Sequence, residues 1–390
     1  MSLGCKEIFD SLLEWPHRGA GSEDEMMARE RLVTHLVGEP AVDVVEEAFF
    51  APTSYLPFFM MVAGGTGLAI WTASEMLYIS LLVGFLFFIS HVLFFDWRVT
   101  PLIWFSPKKM TANLVAKKGQ GRRLFILMAH LDSAPASFAY RPDQVKNFSV
   151  SVYLSTAIIA AGVVVPAFSI AGYDAPIWLL VLLTLALCAQ VGFAGLDFWK
   201  YGYTPGANDN LSGVAAAISA ASRLWRRMPE DAEVRLVITS AEEAGMLGAQ
   251  HYWQQHKDEF VNKDIYVVNL DTVGNKNLQY IIQSGGFTPV LYTNRLTQTA
   301  AIVSRQNEQF REVQAGTHTV GDFDSVWFQR DGLVSVSIAS YNDEGLMPHI
   351  HTVDDKPAYV DMEKVNLASK FAEAIIRMVP VASETKSGAK

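Results

Sequence analysis

Five short stretches of this sequence end in side chains that bind metals or move protons. The apolar run LFILMA leads straight into His130-Leu131-Asp132, and IYVVNL ends at Asp271. VRLVITSA gives way to the pair Glu242-Glu243, the loop PGAND offers Asp209, and a later loop carries His349 and His351. Each alone is unremarkable: a histidine after a strand usually just satisfies hydrogen bonds, and an aspartate among Gly, Ala and Asn is ordinary turn or cap chemistry. The glutamate pair is different, because it follows an apolar strand and precedes Gly245, where a water-facing pair is out of place. Histidines and carboxylates without thiolate suit zinc, with manganese and cobalt as poorer fits. Five ligands exceed what one open tetrahedral ion takes. They suit two ions that share a bridging carboxylate and a bridging water, with one glutamate of the pair left free to take a proton. That is chemistry for hydrolysing an amide.

Such residues need a scaffold, and the pattern around them supplies one. Ser22 precedes a helical stretch, Glu23 to Leu36, and Val42 to Phe50 alternates like a strand. Ala112 to Ala116 and Leu124 to Ala129 read as neighbouring strands separated by the basic turn 117–123. Further on, helices are predicted over 212–225, 247–256, 290–306 and 357–378, and strands over 234–239, 265–270 and 334–338. Strands alternating with helices predict an α/β fold, a mostly parallel sheet covered by helices on both faces. Open sheets of that kind build sites beyond the carboxyl ends of their strands, where all five stretches fall.

The remaining sequence is greasy. Half of the 390 residues are hydrophobic, only 18% are charged, and mean hydropathy is +0.18. The excess lies in 56–95 and 150–196, which hold one charge each near their middles, Glu75 and Asp174. Each divides into two stretches of about 20 residues, the length a helix needs to cross a bilayer. Four transmembrane helices are predicted, at 56–74, 77–95, 150–171 and 176–196. Soluble core helices would carry polar faces, which these lack. Lysines and arginines cluster on the domain side (Arg98, Lys108, Lys109, Arg141, Lys146, Lys200), which places the domain in the cytoplasm and the tips outside. No cleavable signal is visible. The net charge of −9 argues against a nucleic-acid partner, and Cys5 and Cys188 are too few for a disulfide framework. What remains is one discontinuous domain, 1–55, 97–149 and 197–390, interrupted by hairpins 56–96 and 150–196. At about 3.3–3.6 Å per residue, Asp209 sits within about 45 Å of Leu196. The site is therefore tethered near the bilayer; either its pocket faces the membrane or is lidded by loops rooted there, or the hairpins serve only as an anchor.

His130-Leu131-Asp132-Ser133, Pro205 to Asn210 with Ser212-Gly213, Glu242 to Gly248, Asn269-Leu270-Asp271 and Ile350-His351-Thr352 together resemble the family-28 zinc metallopeptidases, the two-zinc aminopeptidases. Gly19 to Ser22 and Asp324 to Gly332 are similar as well. The resemblance implies two zinc ions: His130 and Asp271 on one, Glu243 and His351 on the other, Asp209 bridging. It implies Glu242 as general base, Asp132 as the acid that orients His130, and a peptide as substrate. Asp324, Ser325 and Phe328 would line the pocket. His349 rivals His351, which is preferred because Thr352 and Asp355 follow it as in the family. Lys356 and Ser325 depart from the family's usual threonine and histidine. Carboxypeptidases and glutaminyl cyclases resemble the same scaffold. The former needs a cation for the substrate carboxylate, for which Arg330 is the nearest candidate; the latter uses a single zinc. A membrane receptor with an inactive peptidase domain is the reading from another class.

Overall fold

The computed structural model describes residues 3–96, 101–319 and 321–380. Arg98 and the polar tail 383–390 lie outside the described residues. The chain opens with helices α1 (Cys5–Leu12) and α2 (Glu23–Val37), strand β1 (Asp43–Pro52) and helices α3 (Leu56–Trp71) and α4 (Leu77–Asp96). Strands β2 (Lys108–Gly119) and β3 (Arg123–His130) precede helices α5 (Phe148–Ile170), α6 (Ile177–Tyr201) and α7 (Gly213–Arg226). Then come β4 (Ala232–Thr239), α8 (Leu247–His256), β5 (Asp264–Leu270), β6 (Asn277–Ser284), β7 (Val290–Leu291) and α9 (Arg295–Gln306). The last elements are β8 (Gln314–Thr317), α10 (Val326–Arg330), β9 (Val334–Tyr341) and α11 (Met362–Met378).

The strands form one mixed sheet in the order β1-β2-β4-β3-β5-β9-β6-β7, with β8 on β6. Its centre, β4-β3-β5-β9, is parallel, and the flanking pairs β1·β2, β2·β4, β6·β9 and β6·β7 are antiparallel. Strands β3 and β4 are buried throughout, as strands covered on both faces must be, and the two charges of β4, Glu233 and Arg235, pair with each other. Helices α1, α2, α7, α9 and α11 pack on one face, and α8 and α10 on the other. In α7 the small residues of GVAAAISAAS leave nearly every position buried against the sheet.

Three expectations are corrected. Strands β2 and β3 are not neighbours, because β4 lies between them. At the turn, Gly119 has φ +90°, and a Cβ on Gly121 would meet the Ala232 nitrogen at 2.1 Å, so the chain steps over the start of β4 rather than folding back on itself. The helix predicted over 290–306 starts only at Arg295, where Asn294 and Thr297 form a capping box. The last helix starts at Met362 rather than Pro357, with the Asp361 side chain accepting from the Glu363 and Lys364 N–H groups.

Three of the four greasy helices, α4, α5 and α6, are long and apolar enough to cross a membrane. The other, α3, has 16 residues, about 24 Å of helix against a hydrocarbon core of about 30 Å. Their packing uses small residues: a Cβ on Gly84 of α4 would come within 1.7 Å of the Gly162 carbonyl oxygen of α5. Gly84→Leu is therefore expected to lower the melting temperature in detergent by several degrees, an overpacking cost of about 1–3 kcal/mol. Gly64→Leu is the control, since nothing lies within 4 Å of its Cβ position. Equal melting of the two variants would remove this contact from the account. The helices are also bolted to the sheet domain. The Asp197 carboxylate takes a fork of two hydrogen bonds from Arg141, and the Asp96 carboxylate accepts from the Thr288 N–H at 2.9 Å and its hydroxyl at 3.1 Å.

Candidate metal centre

His130 is the last residue of β3, Asp271 directly follows β5, and Glu242-Glu243 stand three residues beyond β4. Asp209 lies at the non-helical kink of the segment Ala207–Ser212 that leads into α7, and His351 in the loop between β9 and α11. The fold brings these side chains together. His130 Nε2 lies 3.2 Å from Asp209 Oδ1 and 3.6 Å from Asp271 Oδ2. His351 Nε2 lies 3.2 Å from Asp209 Oδ2 and 3.2 Å from Glu243 Oε2. The two oxygens of Asp209 thus face two different imidazoles, each paired with a further carboxylate. Donor atoms in the sets His130/Asp209/Asp271, Asp209/Glu243/His351 and His130/Glu242/Glu243 lie within 4.8 Å of one another.

Backbone locks hold the loops that carry them. The Asp355 carboxylate accepts from the Asn208 and Asp209 N–H groups at 2.8 and 3.0 Å, and the Asp209–Asn210 peptide is cis. Asn210 Oδ1 accepts from the Gly213 and Thr272 N–H groups, tying the Asp209 turn to the end of β5. Arg18, fully buried, donates to the carbonyls of Leu131, Pro205 and Gly206 and so joins the loops of His130 and Asp209. Asp132 stands beside His130, as expected, and also holds the loop of the glutamate pair. Its carboxylate accepts from the Glu242 and Glu243 N–H groups, both at 3.1 Å, and sits 3.7 Å from His130 Nδ1. Nδ1 instead lies 3.0 Å from the Asp132 backbone carbonyl.

The charge balance asks for a cation. Asp132, Asp209, Glu242, Glu243, Asp271 and Asp324 crowd around two imidazoles, almost all of them buried. Glu242 keeps some surface open to the cavity, yet desolvation and then neighbouring carboxylates push it and Glu243 well above the usual glutamate range. Asp324 rises to about 7 by burial. Burial would also raise Asp209, but its contacts with His130 and His351 hold it below the usual aspartate range. Glu243 Oε1 and His351 Nδ1 are buried with no hydrogen-bond partner. A divalent cation would offset this excess of buried negative charge, and the donor set of imidazole and carboxylate without thiolate fits zinc.

Behind the centre, Glu25 accepts from the Gly21 N–H and from Thr111 and Ser240, and burial followed by nearby Asp132 raises its pKa to about 7. The unfolded chain releases that proton near pH 4.5, whereas the folded chain keeps it until about 7. Stability from this group is therefore lost as pH rises through that window. The stability of the wild-type protein relative to Glu25→Gln should fall between pH 4.5 and 8, read as paired thermal melts. A pH-independent difference would contradict the assignment.

The side chains surround a cavity of about 660 Å³. Asp324, Ser325 and Phe328, expected to line it, do not. All three are buried behind the wall: Asp324 accepts from the Thr239 hydroxyl, Ser325 lies 2.7 Å from the Ser337 hydroxyl, and Phe328 sits beside Trp253 in the core cluster that also holds Leu124 and Ile126. The reason is that the chain turns into α10 there, whose apolar face belongs to the core. Phe323, Asp322, Met347 and Ile350 line the cavity in their place. His349 stacks on Tyr359 away from the cluster, and Arg330 reaches the Asp96 carbonyl. Sequence reasoning passed over Arg18, which stands just ahead of the quoted Gly19 to Ser22, and Tyr140, which stacks on His351 at 4.1 Å.

Residues 191–376 match the sequence profile of Peptidase family M28. Aminopeptidase YwaD of Bacillus subtilis is 27% identical over 181 residues, 45% of this chain and 38% of that protein, so the match spans well under half of the relative. Among solved structures, a leucine aminopeptidase precursor from Bacteroides thetaiotaomicron superposes with a TM-score of 0.58 at 13% identity, covering 97% of this chain and 98% of that one. A glutaminyl cyclase from the same species gives 0.59 at 13% identity, covering 97% and 99%. At such identities the likeness is one of fold. The matched segment, somewhat under half of the chain, runs from α6 into α11 and takes in Asp209, Glu242, Glu243, Asp271 and His351, and over that stretch the chain is similar to Peptidase family M28.

Proposed function

We propose that the chain is a membrane-anchored zinc aminopeptidase that removes the N-terminal residue of peptides. The observation that carries this reading is the two-sided presentation of Asp209, with one oxygen toward His130 and the other toward His351. His130 and Asp271 would hold one zinc, Glu243 and His351 the other, and Asp209 both. The chemistry that such a pair of ions supplies is a lowered water pKa and a polarised scissile carbonyl. Glu242 takes the proton from the attacking water and returns it to the leaving amine. Asp132 holds Glu242 and Glu243 in register through their backbone N–H groups, and Tyr140 fixes the ring of His351 by stacking. Among the described residues no lysine or arginine lines the cavity, whereas the centre's own carboxylates do; Asp322, also on the wall, is already paired with Arg330 at 3.8 Å. That lining suits a substrate ammonium and disfavours carboxypeptidase action.

The four helices form two hairpins, 56–96 and 150–196, inserted into one peptidase domain made of 1–55, 97–149 and 197–390. Supporting their place in a bilayer, Leu82, Phe85, Leu154, Phe168, Leu182 and Leu185 are exposed. Tyr78, Trp178 and Trp199 sit near helix ends, where aromatic side chains favour the interface. The lysines and arginines on the domain side favour a cytoplasmic domain, which a reporter fused after residue 390 tests.

The purified chain should cleave aminoacyl-coumarin substrates, lose that activity to a chelator and regain it with zinc. N-acetylation of a peptide should block cleavage and C-terminal amidation should not. Cyclisation of an N-terminal glutamine without chain shortening would instead support the cyclase chemistry of the scaffold. A chain that binds no zinc and cleaves nothing would support the inactive receptor.

A further inference from the structure

We infer that the substrate is a peptide with an apolar stretch, delivered from the bilayer into a chamber that the membrane helices build onto the metal centre. This rests on the aminopeptidase reading and extends it. A single cavity touches His130, Glu242 and His351 at one end and reaches α3, α4, α5 and α6 at the other. Its volume of about 660 Å³ lies within the range of about 300–1,000 Å³ that encloses whole drug-sized ligands, more than a single side chain needs. The helix end is walled by Phe59, Phe95, Phe148, Ile158 and Phe193.

Chamber and centre share structure. Tyr140, stacked on His351, also packs on Phe148 at the start of α5, and Phe138 two residues earlier stacks on Phe193 of α6. The Ser137 N–H donates to the His351 carbonyl at 2.9 Å. A chain lying in the chamber would therefore touch the segment that positions His351.

Of the polar side chains of the spans that line the cavity, His91, Ser151, Ser155 and Gln190, two carry buried atoms without partners and bear on what the chamber takes. His91 of α4 is 1% exposed and lines the cavity, as does Gln190 of α6. The Thr156 hydroxyl donates to the Val152 carbonyl, so neutral His91 donates from Nε2 to Thr156 Oγ1 at 3.0 Å and presents Nδ1 as an acceptor. His91 Nδ1 and Gln190 Nε2 are both buried without partners. One acceptor and one donor left open in an apolar chamber match the N–H and C=O of a peptide group. A saturated acyl chain would leave both unpaired, at the usual desolvation cost.

The test uses the full chain in lipid nanodiscs. A peptide with a free amino terminus, a leucine-rich apolar stretch and a photoreactive residue within it is crosslinked to the Glu242→Gln protein, which should hold it uncleaved. Adducts are expected on the chamber-lining stretches 158–159 and 190–194, competed by the unlabelled peptide. With active protein, kcat/KM for the apolar peptide should exceed that for a soluble tripeptide of the same first residue by at least tenfold. Gln190→Leu, close in volume, should reduce that preference several-fold. Adducts confined to the outward residues Leu182 and Leu185, or equal kcat/KM for both substrates, would overturn the inference. Competition by a diacyl lipid as strong as by the peptide would do the same, assigning the chamber to acyl chains. Cleavage of neither substrate by zinc-loaded protein strikes at the aminopeptidase reading itself, which keeps the two failures apart.

Discussion

Glu242→Gln is expected to lower kcat by about 10²–10⁴-fold, the span that a positioned general base contributes. Glutamine keeps the size of the side chain and leaves the backbone N–H bonded to Asp132. It removes the ability to accept and return a proton. The case for Glu242 rather than Glu243 is geometric. Glu243 Oε2 lies 3.2 Å from His351 Nε2 and is buried, so it is committed to the cluster, whereas Glu242 keeps surface open to the cavity where a substrate would lie. Desolvation raises both carboxyls strongly in the protein alone. Two bound cations would draw them back toward the ionised form that a base requires. Zinc content, read by elemental analysis, should stay near that of the parent in Glu242→Gln and fall in Glu243→Gln. Normal turnover in Glu242→Gln would take this residue out of the proton path.

Much of this site can be read in the sequence because its parts are punctuation marks on strong local signals. The apolar runs within β3 and β5 read as buried strands, and each stops at a ligand-type residue, His130 or Asp271, while the apolar end of β4 is followed three residues on by Glu242. The sheet's order could not be read that way. Which strand lies beside β3 is decided by parallel register with β4 across an intervening hairpin and helix, information spread over more than a hundred residues. Strands β6 and β8 went unread because polar residues such as Gln279 and Gln283 interrupt their alternation. The pocket was misplaced for a related reason. The motif Asp324-Ser325-Val326-Trp327-Phe328 marks a place in the chain but not the face of the short helix α10, and burial of Phe328 beside Trp253 in the core under the sheet turns that face inward. Arg18 and Asp355 hold loops through backbone groups, and such contacts leave no periodic trace in a sequence.

Asp209→Ala should empty the centre altogether, taking zinc from about two ions per chain to near none and activity with it. No other side chain in the cluster has each of its oxygens within 3.2 Å of a different imidazole. Without it, His130 keeps Asp271 and His351 keeps Glu243, two protein ligands apiece, one short of the three that catalytic zinc sites use. His351→Ala makes the informative contrast. It removes one imidazole but leaves the set His130, Asp209 and Asp271 complete, so about one zinc should remain. The change at Asp209 is also the more costly electrostatically. Its carboxylate is the counter-charge that both histidines face, and its contacts with them hold its own pKa low despite burial. Retention of two zinc ions in Asp209→Ala would mean that the halves bind independently, and the bridging role would be lost. Loss of both ions from His351→Ala as well would mean that the pair fills only as a unit, with Asp209 coupling the two halves more tightly than separate ligand sets allow.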